Sequence, residues 1–159
     1  MKNLIIDFTK DFHSTGYGNI VYIIGYILSN INNSNIPIYI KIDKLYKKTY
    51  TDIFCAINYL KFGNFKILLL EPTENQKLTN TNIINIDNLK YLNDNSKNTY
   101  IINKNLKDVK HFFYYDKIIR CFQNLNIDFK KEKENILKQY ITSKFKDIEK
   151  SIIINVRRR

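Results

Sequence analysis

Cysteine is scarce in this sequence: Cys55 and Cys121 are the only two, far apart and each inside an apolar segment. Without a C-x-x-C pair or a Cys/His ligand spacing, a disulfide framework and a structural metal site are both excluded, so two reduced, buried thiols are expected. No apolar run approaches the ~20 residues that a membrane span needs. Asp7 interrupts the short apolar run after Lys2, which excludes a secretory signal core. These absences lead us to expect a soluble, cytoplasmic protein. Nor does any internal repeat or Gly/Ser-rich or Pro-rich linker divide the chain, so residues 1–159 are expected to form a single α/β domain with a real core.

What is present fits a globular chain: 44% of residues are hydrophobic and 26% charged. The aliphatic content is skewed, with 28 Ile and 22 Asn against three Val and one Ala. That bias fits an AT-rich coding sequence better than a physical demand, so asparagine-rich stretches are not read as motifs. The net charge of +11 and pI near 9.5 favour polyanions, acidic surfaces or phosphorylated small molecules without separating them. Lysines at 41–48 and 130–138 carry much of this charge beside apolar positions, as solvated faces do.

Hydrophobic spacing sets the element order. Leu4-Ile5-Ile6-Asp7-Phe8 reads as a buried strand, and Ile20, Ile23, Ile24, Ile27, Leu28 and Ile31 line one helix face. A second strand follows at 36–42. A strand, helix and strand in series call for a right-handed parallel crossover. The spacing predicts a second helix over Tyr50 to Phe62, capped by Thr51 and Asp52, and a third strand over 65–70. In the Asn- and Thr-rich stretch 71–98, Ile83-Ile84-Asn85-Ile86 suggests a short strand and Tyr91-Leu92 a helical turn. Further elements are expected at Tyr100-Ile101-Ile102 (strand), 111–124 (helix), 131–146 (amphipathic helix with Ile136, Leu137, Tyr140, Ile141 and Phe145 on one side) and 151–159 (strand). The fold class expected is an open parallel Rossmann-like sheet with flanking helices.

Two stretches carry chemistry. The first strand enters its helix through Gly16-Tyr17-Gly18-Asn19, and a helix start offers free backbone N–H groups and a dipole that favours an anion. The plainer alternative is a turn whose glycines serve only positive φ. At the other end, Ile152-Ile153-Ile154-Asn155-Val156 runs into Arg157-Arg158-Arg159. A strand that stops at arginines delivers planar, always-charged forks to the carboxyl edge of a sheet, where open α/β sheets bind ligands. A solvated basic tail is the alternative there.

Together these ends resemble the GDP-fucose-dependent fucosyltransferases, in particular the α-1,2-fucosyltransferase family and its O-fucosyltransferase and α-1,6 relatives. Members begin with a strand, a Gly-x-Gly-Asn turn and a long apolar helix, and later carry a strand ending in His-x-Arg-Arg-x-Asp. Gly16, Gly18 and Asn19 match the first motif, and Ile152 to Arg158 match the strand and paired arginines of the second. Asn155 stands in place of the histidine, Arg159 in place of the usual glycine, and the aspartate is not reached. The resemblance implies the N-terminal domain of a GT-B-like, inverting glycosyltransferase that needs no cofactor or divalent metal. Arg157 would then be the catalytic residue, neutralising the departing β-phosphate of GDP-fucose. Arg158 would help to fix the loop and nucleotide, and Gly18 and Asn19 would let backbone approach the phosphates or the fucose. It also implies a second Rossmann-like half, without a counterpart in residues 1–159, to hold guanine and ribose. The chain is therefore expected to be inactive alone, with a nucleotide-sugar donor, a glycan acceptor and a completing C-terminal half as partners.

The alternative is a small basic α/β module that binds nucleic acid or another polyanion through its lysines and arginine tail. His13, in the loop before the glycines, is an acid/base or acceptor-binding candidate, with a plain loop histidine as the simpler role. His111 reads as part of a half-buried helix face. Asp7 either orients the glycine loop or lies at the sheet edge. The 12 tyrosines and 10 phenylalanines mostly share helix faces with isoleucine, as core residues do.

Overall fold

The computed structural model describes residues 1–9, 16–31, 35–70, 80–92, 97–104, 106 and 123–144. The helix expected at 111–124 lies outside these residues as far as 122, and the strand at 151–159 lies outside them entirely. The chain divides into two compact units, 1–128 and 129–159.

The first unit is an α/β fold built on an open, wholly parallel, Rossmann-like sheet of five strands. In chain order its elements are β1 (Asn3–Asp7), α1 (Tyr17–Ser29), β2 (Ile38–Lys41), α2 (Lys47–Tyr59), β3 (Leu60–Phe62), β4 (Ile67–Leu70), β5 (Thr81–Asn85), a 3-10 helix η1 (Ile86–Tyr91) and β6 (Thr99–Lys104). Then comes β7 (Ile127–Phe129), which straddles the unit boundary and forms a two-stranded sheet with β3. The large sheet has the order β4-β2-β1-β6-β5. In the usual mononucleotide-binding half the last two strands lie the other way round. The exchange has a consequence for layering. The step from β5 to β6 runs in the same sense as that from β1 to β2, so right-handed crossovers put α1, α2 and η1 on one face.

That face is the core. Leu4, Ile6, Ile38, Ile40, Tyr100 and Ile102 share it, and Ile20, Ile24, Ile27, Leu28, Ile53, Ala56, Ile86 and Leu89 pack onto them. At roughly 1.5–3 kcal/mol for each large aliphatic side chain withdrawn from water, this layer is the main stabilising term. On the opposite face Ile5 is buried, Tyr39 and Ile101 are half-buried, and Ile83 is 61% exposed.

Three local differences from the sequence pattern have physical causes. The second helix begins at Lys47 instead of Tyr50, because the Leu45 N–H donates to Asp43 Oδ1 (2.9 Å) and this turn leads into the helix early. Thr51 consequently lies inside the helix, where its hydroxyl donates back to the Lys47 carbonyl at 2.7 Å. Neither Thr51 nor Asp52 caps it. Residues 60–62 leave the helix and become β3, with Leu60 and Phe62 buried and Lys61 exposed, a period of two. Finally, the Cys55 thiol is free but only half-buried; Cys121 lies outside the described residues.

The second unit contains α3 (Lys131–Lys144). None of its residues is buried, and Ile136, Leu137 and Tyr140 are exposed. Local bonds support it: a Glu134–Lys138 ion pair, Lys144 Nζ 5.9 Å from the Tyr140 ring centre, and acidic residues in the first turn.

Gly63 is the one described glycine with a positive φ (+55°), and a Cβ there would lie 2.7 Å from the Leu125 carbonyl oxygen. Gly63→Ala is expected to destabilise the fold by about 2 kcal/mol or more, from the left-handed backbone and the clash together. Urea denaturation should show a lower midpoint at an unchanged slope.

Candidate site at the carboxyl edge

At the β1–β6 pairing the neighbouring strands of the large sheet are remote in sequence, and the carboxyl ends of the strands are the edge at which open α/β sheets carry ligands. From the carboxyl end of β1 the chain runs on to the start of α1. Gly16 is the N-cap, with φ −76° and ψ 162°; it makes no side-chain cap, and the first turn holds no acidic residue. The Asn19 and Ile20 N–H groups donate to the Gly16 carbonyl at 3.0 and 3.3 Å. The positive end of the helix dipole is thus met by no carboxylate or capping oxygen of its own first turn.

The glycines themselves are unusual in what they do not do. Neither Gly16 nor Gly18 has a positive φ, and a Cβ at either would meet nothing within 4 Å. The plainer reading of this turn, glycine for a left-handed backbone, is therefore overturned. Backbone geometry and packing within the described chain both leave room for a side chain, and what the glycines provide is bare backbone facing open space. Asn19 is exposed beside them.

A buried polar group ends the central strand. Asp7 is 6% exposed and accepts two hydrogen bonds from Thr9, from its N–H (3.0 Å) and its hydroxyl (2.6 Å). Lys41, its register partner on β2, places Nζ 3.6 Å from Asp7 Oδ2. Asp7 therefore lies in the central strand and fixes the first residues of the loop that leads to the glycines. Burial, reinforced by neighbouring Cys55, holds the Tyr17 phenol above its ordinary value of 10.0, so it remains a protonated donor at neutral pH.

On the other side of β1, Asn103 is the extra residue of a bulge in β6: Ile84 pairs with Ile102, and Asn85 with Lys104. It is 8% exposed.

The residues matched to the first motif, Gly16, Gly18 and Asn19, thus stand together at one helix start. Arg157 and Arg158 lie outside the described residues, as do His13 and His111. The sequence reading passed over Thr9, Lys41, Asn85 and Asn103. Thr9 follows Asp7 at the two-residue spacing of an Asx turn, a signal that was there to find; Asn103 was hidden by the abundance of asparagine. Among the described residues no three His, Cys, Asp or Glu side chains converge as metal ligands, and no helix is long and apolar enough to cross a membrane. Compared with protein-family models, curated proteins and solved structures, the chain finds no match.

Since nothing in the backbone requires glycine at the second helical position, Gly18→Ala is expected to stabilise the protein by about 0.5–1 kcal/mol. Thermal unfolding followed by circular dichroism should show the rise, with helix content unchanged.

Proposed function

We propose that this chain is a glycosyltransferase-like domain that holds the diphosphate of a nucleotide sugar, by resemblance GDP-fucose, at the carboxyl edge of its sheet. The observation that supports the reading is the bare start of α1: two glycines that, among the described residues, neither φ nor packing requires, at a helix terminus that follows the central strand. The first backbone N–H groups of a helix have no partner within it and suit phosphate oxygens.

In this reading the helix start takes phosphate oxygens, and Arg157 sits on the β-phosphate. As the sugar–phosphate bond breaks, negative charge accumulates on the departing diphosphate, and a guanidinium already in place lowers the cost of that charge. Arg158 holds the loop and nucleotide. An acceptor hydroxyl attacks the anomeric carbon from the side opposite the departing diphosphate, inverting it, and its proton passes to solvent. Guanine and ribose are held by a second half, so the domain alone binds weakly and does not turn over. The net charge of +11 favours a second reading, a module for nucleic acid or another polyanion.

Calorimetric titration with GDP, and separately with a short DNA duplex at several salt concentrations, tests both. Expected are saturable GDP binding by the wild type, a loss of about tenfold or more in Arg157→Ala, and a weaker complex in the otherwise more stable Gly18→Ala. Duplex binding with a steep salt slope and no response to GDP would replace this reading with the polyanion one.

A further inference from the structure

We infer that α3 lies on the surface of an anionic lipid bilayer, with Ile136, Leu137 and Tyr140 set below the headgroups and lysines at the headgroup phosphates around them. This surface belongs to the second unit and is independent of the nucleotide-sugar reading above.

Spacing builds the face. Lys133, Ile136, Leu137, Tyr140 and Lys144 recur at i, i+3, i+4, i+7 and i+11, so they share one side of the helix, apolar in the middle and cationic at each end. Lys131, Asn135, Lys138 and Thr142 line the opposite side at the same period, and all four are polar. None of the helix's residues is buried; Ile136 is 57%, Leu137 39% and Tyr140 60% exposed. A helix of 14 residues is marginal in water by itself, and packing of its apolar face is what ordinarily stabilises one. The bonds within α3 supply little of that, since the Glu134–Lys138 pair and the Lys144–Tyr140 contact are both exposed.

Charge and shape select what covers the face. Residues 129–159 hold ten Lys and Arg against four Asp and Glu, so this short unit carries +6 of the chain's +11. An anionic leaflet attracts such a segment, and each lysine near it adds to the attraction. The phosphates of a nucleic acid would meet the same lysines but leave the apolar middle in water. A groove in a partner protein reads apolar anchors from i to i+7, whereas here the exposed apolar residues span one turn, closed at each end by lysine. A bilayer accommodates that arrangement: the lysine stems run along apolar surface while their ammonium groups stay among the headgroups. Tyrosine suits the same boundary, with an apolar ring and a polar tip. No described helix is long and apolar enough to cross a membrane, so α3 lies in its plane.

The sequence has no tryptophan, so Tyr140→Trp gives the full chain a single indole to report on this face. With vesicles of phosphatidylcholine containing about a quarter phosphatidylserine, its emission is expected to shift to the blue and to be quenched by lipids brominated in the acyl chain; pure phosphatidylcholine should do neither. In co-sedimentation with the same anionic vesicles, Ile136→Ser and Lys144→Gln should each weaken binding by about fivefold, and added salt should release the protein. Both positions are exposed, so the urea midpoint should not move, and Lys144→Gln carries the test if Ile136→Ser unfolds the helix. A wild type that stays in solution with anionic vesicles overturns the inference. So does sedimentation without a shift of the indole and unaffected by Ile136→Ser, which reduces the face to a charged surface. Binding to a DNA duplex in place of vesicles assigns the unit to nucleic acid instead.

Discussion

Strand β1 is the constraint on which the remainder depends. It is paired in parallel register with β2 on one side and β6 on the other, and its residues from Leu4 to Asp7 are all buried. A strand enclosed in this way tolerates a charged residue only at its end, and only if that residue is satisfied. Asp7 meets both conditions through Thr9 and Lys41. The same bonds fix Thr9 just past the end of the strand. Core packing and the candidate site therefore meet at one residue: Asp7 ends the buried strand at the edge proposed for the ligand.

The glycines divide into two physical classes. Gly63 is required by its own backbone and by the approach of Leu125, and Gly25 lets Ile127 come close to α1, where a Cβ would meet its Cδ1 at 3.2 Å. Gly16 and Gly18 answer to neither demand. An internal glycine lowers helix stability, and among the described residues nothing requires one at position 18.

Much of the fold was legible because its signals are local. The period of the isoleucines in α1 and the short apolar runs of β1, β2 and β4 are readable from spacing alone, and each appears within a few residues of its expected place. The start of α2 was not, since the Asp43 turn that initiates it competes with the better-looking cap at Thr51. Nor was the exit of Leu60–Phe62 into β3, which depends on a partner strand more than sixty residues away. Strand order is likewise a property of pairing, invisible to periodicity. For the site, the glycine turn was visible as a motif, but the absence of any packing reason for it is a fact of three dimensions. The bulge that sets Asn103 apart needs the register of three strands. In α3 the spacing gave the helix correctly while Ile136, Leu137 and Tyr140 remain exposed, because amphipathic pattern states what a face can bury and not whether it is covered.

The exchanged order of β5 and β6 also bears on how the chain acquires its shape. During synthesis β1, β2 and β4 can zip together early, but the second flank of β1 has no mate until Thr99–Lys104 has left the ribosome. For all that time the middle of the eventual sheet is an outer margin, an apolar ribbon with a row of unsatisfied amides and carbonyls. The pairing of β1 with β6 joins residues about a hundred positions apart, a contact of long range. The flank of β1 that is most enclosed in the finished sheet is thus the one that waits longest for its neighbour.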